Sequence, residues 1–153
     1  MKCCHLLIAG VLCYALLFDA QAQTSPPFRK LLPEKSFLFG HLPEKFGISN
    51  LLIQKLFDGP DSGTVSIPLT PDYSFEGVIL EKVQKNPHVV SMNIKSTNYE
   101  GALLSLSKIT YNDHSNKYIG RIVSIHYGDV ILLTQDNNTL SFIRKKQSVV
   151  ITE

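Results

Sequence analysis

Residues 117–133 read KYIGRIVSIHYGDVILL, and this stretch decides how the rest of the chain is read. It reads as two β-strands meeting at Gly128-Asp129. Glycine supplies the positive φ that a two-residue hairpin needs at its first central position, and aspartate tolerates the second. Both strands are apolar on both faces: Ile119, Val123 and Ile125 against Ile122 in the first, Ile131 and Leu133 against Val130 and Leu132 in the second. Strands of that kind are predicted to be central in a sheet and covered on both sides.

Working outward, more strands flank this hairpin. Asp136-Asn137-Asn138 turns the chain into a strand at 140–145, and 148–152 reads as a last one. Upstream, 88–96 alternates, with Val90, Met92 and Ile94 facing one way and Ser91, Asn93 and Lys95 the other. Residues 102–111 carry Leu104 and Leu106 on one face, and NDHSN at 112–116 is a polar turn. Residues 74–84 form a longer strand in which Gly77 predicts a bulge or bend. A short strand at 64–69 ends in Pro68 and Pro71. The expected fold class is therefore mainly β, a small antiparallel β-meander closed as a barrel or sandwich.

One helix is expected, at 44–57. Ile48, Leu51, Leu52 and Leu56 recur at three- and four-residue spacing, and Asp58-Gly59-Pro60 stops the pattern. Gly47 weakens the first turn, which moves the start toward Ser49 as cap. This N-terminal helix is the lid for one side or one open end of the sheet.

The first 22 residues read as a cleaved signal peptide. Lys2 supplies the positive charge, 6–18 is an apolar run, and Ala20-Gln21-Ala22 is an A-x-A-like cleavage site that makes Gln23 the mature N-terminus. The run is shorter than the roughly 20 residues a bilayer span requires, so no stable membrane span is expected after cleavage. Leu12 stands before Cys13 where a lipidation signal wants a small residue. The expected location is secreted or periplasmic. Residues 23–43 form a Pro-rich apolar arm or linker, and 44–153 a single β-barrel-like domain with a leading helix.

All three cysteines, Cys3, Cys4 and Cys13, fall inside the signal segment. The mature chain holds no disulfide, thiolate nucleophile or thiolate metal site, so its core must hold unaided. Removing 1–22 takes away Lys2 and Asp19 and leaves the net charge at +2. That balance predicts no nucleic-acid partner, and Arg144-Lys145-Lys146 reads equally as a contact for an anionic surface or as a solvated strand end that discourages edge pairing.

No constellation carries recognisable chemistry. His41, His88, His114 and His126 share no metal-binding spacing, and no phosphate or dinucleotide loop occurs, so no cofactor is expected. Ser124, His126 and Asp129 suggest a triad. Ser124 and His126 lie two apart on one strand, however, about 7 Å from each other and beyond direct hydrogen-bond reach. Arg121 alternates in register with the apolar face, where an arginine is either edge-placed or paired with Glu76, Glu81 or Asp129. Arg121, His126 and Asp129 are thus the candidate ligand or ion-pair site. Asn137-Asn138-Thr139 is a glycosylation sequon in a turn.

Phe75-Glu76-Gly77, Lys82-Val83-Gln84, Asn98-Tyr99-Glu100-Gly101-Ala102, Tyr118-Ile119-Gly120-Arg121 and Gly128-Asp129 together resemble a pattern in small exported bacterial proteins, over about residues 63–153. The resemblance implies a bacterial envelope or secreted setting and carries over no functional residue. The expected function is an exported non-enzymatic β-domain that binds a secreted or envelope protein. The alternatives are an inhibitory or accessory segment for a secreted hydrolase, a small enzyme using Arg121, His126 and Asp129, and a carrier of a small apolar ligand in a hollow barrel.

Overall fold

The computed structural model describes residues 35–146. The signal segment, the arm up to residue 34 and the expected last strand at 148–152 lie outside the described residues. Eight strands, β1 (Lys45–Ile48), β2 (Gly63–Pro68), β3 (Ser74–Asn86), β4 (Val89–Ser96), β5 (Ala102–Thr110), β6 (Asn116–Ser124), β7 (Asp129–Asp136) and β8 (Thr139–Lys146), surround one helix, α1 (Asn50–Asp58). All neighbours pair antiparallel in the order β1-β8-β7-β6-β5-β4-β3-β2. From β2 to β8 this is the expected meander, one hairpin after another. The sheet curls into a partly open half-barrel, because β1 and β2, its two edges, do not pair with each other.

The inner face is the core. Alternation puts Met92 and Ile94 of β4, Leu104 and Leu106 of β5, Ile122 of β6, Ile131 and Leu133 of β7 and Leu140 and Phe142 of β8 on this face, all buried. Full burial of each such side chain stabilises by about 1.5–3 kcal/mol relative to exposure. Helix α1 lays Ile53 and Phe57, four apart and so on one face, into the same core. Phe57 stacks on Tyr118 with ring centres 5.8 Å apart. Lys82 holds the helix exit, its Nζ donating to the Gly59 carbonyl at 2.7 Å and pairing with Asp61 at 3.1 Å.

Four local expectations need correction. The helix begins at Asn50 behind Ser49, the later of the expected starts, and Lys45–Ile48 is a strand rather than its first turn, since Phe46 and Ile48 gain burial by alternating against β8 and Gly47 disfavours a helical turn. Ser49 holds the cap position but makes no side-chain cap bond; its carbonyl accepts from the Leu52 and Ile53 amides. The β6–β7 hairpin is not a tight turn at Gly128-Asp129. The strands are joined by residues 125–128, Gly128 has no positive φ, and Asp129 already belongs to β7. The hairpin strands are covered unevenly. On the outer face Val130 is buried, but Ile119 is 41% exposed, because α1 lies on the inner one.

Two further features refine the boundaries. Phe39 and Leu42, read as part of the arm, are core residues, so the domain's packing begins ahead of residue 44. The register of β3 against β4 shifts twice, at Leu80 between Ile79 and Glu81 and at Lys85 between Gln84 and Asn86, and not at Gly77. Gly77 stays in regular register opposite Val65 and Ser96. What it supplies is space: a Cβ there would lie 2.7 Å from both Ile94 Cγ2 and the Lys95 carbonyl oxygen. Gly77→Ala is expected to lower unfolding free energy by about 1–3 kcal/mol through overpacking, read from the midpoint of a urea titration at unchanged slope.

Candidate functional site

The sequence-predicted residues come first. Asp129 is 1% exposed. Its carboxylate accepts from two consecutive backbone amides, Leu38 N–H on Oδ1 and Phe39 N–H on Oδ2, each at 2.8 Å. Charge-assisted bonds of this kind fix the segment that delivers Phe39 to the core. The neighbouring Gly128 amide donates to the Ser36 carbonyl at 2.9 Å, and a Cβ on Gly128 would lie 2.9 Å from the Lys35 carbonyl oxygen. Asp129 is therefore a structural clamp for the incoming chain.

Arg121 lies on the opposite face. Its register partners are Ser105 and Leu132, and its side chain is exposed in a shallow depression of about 390 Å³ with Ile119 and Thr134. Among the described residues it forms no ion pair. β3, which carries Glu76 and Glu81, is separated from β6 by β4 and β5. Glu76 is held instead by the Ser66 and Ser74 hydroxyls, each donating at 2.6 Å, and these bonds keep its carboxyl below the usual carboxylate range. His126 is exposed in the β6–β7 connection, and its ring packs where Gly101 has no Cβ. Ser124 is buried, donating to the Glu100 carbonyl at 3.2 Å and accepting from the His126 amide at 3.4 Å. The three candidate residues are not brought together: Arg121 is outside the curl, Asp129 inside it, and His126 in the loop between.

The concave feature that sequence reading missed is the seam between the two sheet edges. A groove of about 700 Å³ lies there, lined by His41, Pro43, Phe46, Gly47, Ile48 and Leu52 on one side and by residues 68–73 on the other. The 68–73 wall is a turn in which the Leu69 and Thr70 amides both donate to the Tyr73 carbonyl, at 2.9 and 3.0 Å. At its end, His41 packs against Tyr73 with ring centres 4.6 Å apart and stacks on Tyr99 at 6.0 Å. Burial first, then the neighbouring Tyr73, push the Tyr99 phenol above its ordinary range, so it stays protonated at neutral pH. The Thr70 hydroxyl is buried in this wall with no partner among the described residues.

The backbone of β1 adds a second feature to the seam. The Glu44 carbonyl accepts from the Arg144 amide at 2.8 Å, toward β8. Alternation along an antiparallel ladder then aims the peptide groups of Phe46 and Ile48 at β8 and those of Lys45 and Gly47 at the open seam. Beside Gly47 an added Cβ would meet nothing within 4 Å. The signals available in the sequence were Phe46, Gly47 and Ile48, hidden by their reading as the first turn of the helix.

Among the described residues no group of three or more His, Cys, Asp or Glu is placed to hold a metal ion, and no helix is long and apolar enough to cross a membrane. The domain is a small β-sheet unit lacking obvious catalytic, metal-binding or disulfide features among those residues. No family profile, curated protein or solved structure matches the chain.

Two outcomes follow from the clamps. Asp129→Asn presents an amide donor to one of two backbone donors, which should cost about 1–3 kcal/mol and speed hydrogen exchange at Leu38 and Phe39 before other core amides. For Glu76, the depressed folded pKa means its contribution is present above the unfolded value and lost as pH falls through the folded one. Replacing Ser66 and Ser74 by alanine should move the Glu76 titration midpoint, followed by NMR, up toward that of an ordinary glutamate.

Proposed function

We propose that this is a non-enzymatic binding module of an exported protein, and that it takes an extended segment of a secreted or envelope partner at the open seam. The observation that carries this reading is the edge of β1, unpaired among the described residues, with the Lys45 and Gly47 peptide groups beside an apolar groove floored by Phe46, Ile48 and Leu52. A strand added to such an edge gains affinity from main-chain hydrogen bonds and specificity from pockets for alternate side chains. The export signal read at 1–22 supports an extracytoplasmic setting. The polar residues most suggestive of catalysis are engaged in structural bonds, which supports a binding role over turnover. A ligand carrier draws no support from the interior, which Phe39, Phe75, Phe142 and the aliphatic side chains around them fill.

Gly47→Pro tests this directly. Proline removes an amide that faces the seam and is tolerated on an edge whose N–H points away from the sheet. Titrating the mature chain with an alternating valine–threonine heptapeptide should shift the NMR signals of Lys45, Gly47 and the groove residues. The proline variant should keep its melting temperature to within a few degrees and lose those shifts. Binding that survives Gly47→Pro would place the site elsewhere, and catalytic turnover abolished by a single substitution would defeat the non-enzymatic reading.

A further inference from the structure

We infer that the segment taken at the seam carries a lysine or arginine side chain, which seats at the end of the groove between Asp72 and Tyr73. This rests on the seam reading above. The groove wall is apolar along most of its length, and Asp72 is the one carboxylate among its lining residues, which include no lysine or arginine. Asp72 is exposed and forms no ion pair among the described residues. Next to it in sequence, Tyr73 is 44% exposed and also lines the groove, its ring centre 4.6 Å from that of His41. A carboxylate beside an exposed aromatic ring is the surrounding a cationic side chain seeks. The carboxylate supplies charge complementarity, and the exposed ring covers the apolar stem that carries the charge.

The rest of the groove sets the partner's other features. The Lys45 and Gly47 peptide groups read main chain and demand an extended conformation. Phe46, Ile48 and Leu52 accept apolar side chains at alternate positions. A glutamate at the cation position would instead meet Asp72 as a like charge. The complement of the seam is thus an extended apolar segment with one cation toward the 68–73 turn.

Valine–threonine heptapeptides with lysine, norleucine or glutamate at either end test this on the mature chain. For one of the two placements, the lysine peptide should bind about tenfold more tightly than norleucine, and glutamate more weakly than both. Asp72→Asn and 0.5 M salt should each narrow the gap between lysine and norleucine by weakening the lysine peptide. Equal affinities for all three peptides at both placements would remove the cation subsite and leave the seam reading standing. If no peptide binds the unaltered chain at all, both readings fall together.

Discussion

One connection constrains everything else: β1 and β2 are the opposite edges of an eight-stranded sheet, and the chain runs from one to the other through a single short helix. Laid flat, the edges of such a sheet would stand roughly 34 Å apart at the usual strand spacing. The nine residues of α1 cover about 13 Å, and Ser49 with residues 59–62 reaches at most about 17 Å more. With α1 packed on the inner face and Lys82 holding Gly59, little of that length is used to span the sheet, and the curl brings the two edges together. The curl gives the sheet an inside, and α1 with Ile53 and Phe57 then becomes part of the core it encloses. The incomplete closure, the seam and its groove are what remains when a helix rather than a ladder joins the two edges.

The polar side chains within this frame serve the architecture. Asp129 captures two amides of the segment that carries Phe39 inward, Ser124 bridges the loop that holds His126, and Glu76 ties β2 to the start of β3 through two serines. A carboxylate committed to two backbone donors is a poor general base, since using it would release both. At the seam, an apolar groove and the outward-facing peptide groups of β1 lie side by side.

Most of the strands were legible because alternation and turn residues agree. Met92 and Ile94 against Ser91 and Asn93 define the inner face of β4 without ambiguity, and Asn137 and Asn138 take the positive φ values, 42° and 68°, that a tight hairpin demands. The errors have physical causes. Gly128-Asp129 has the letters of a hairpin turn, yet a distant pair of amides at Leu38 and Phe39 claims the aspartate for the strand. Residues 45–48 are too short to show a period of their own, and pairing with β8 overrode the helical spacing that follows them. Ile119, Val123 and Ile125 look like core because strand patterning cannot tell which of two apolar faces the helix will cover. The candidate site was not legible, since it is made by two segments that meet only when the sheet curls.

The free edge of β1 is only four residues long, and Pro68 closes the edge of β2. Stacking into fibrils draws on uninterrupted segments of about six or seven residues. Each edge is short or proline-ended, which blunts it as a template for further copies. The molecule can therefore leave its seam unclosed without offering neighbouring chains a rail along which to polymerise.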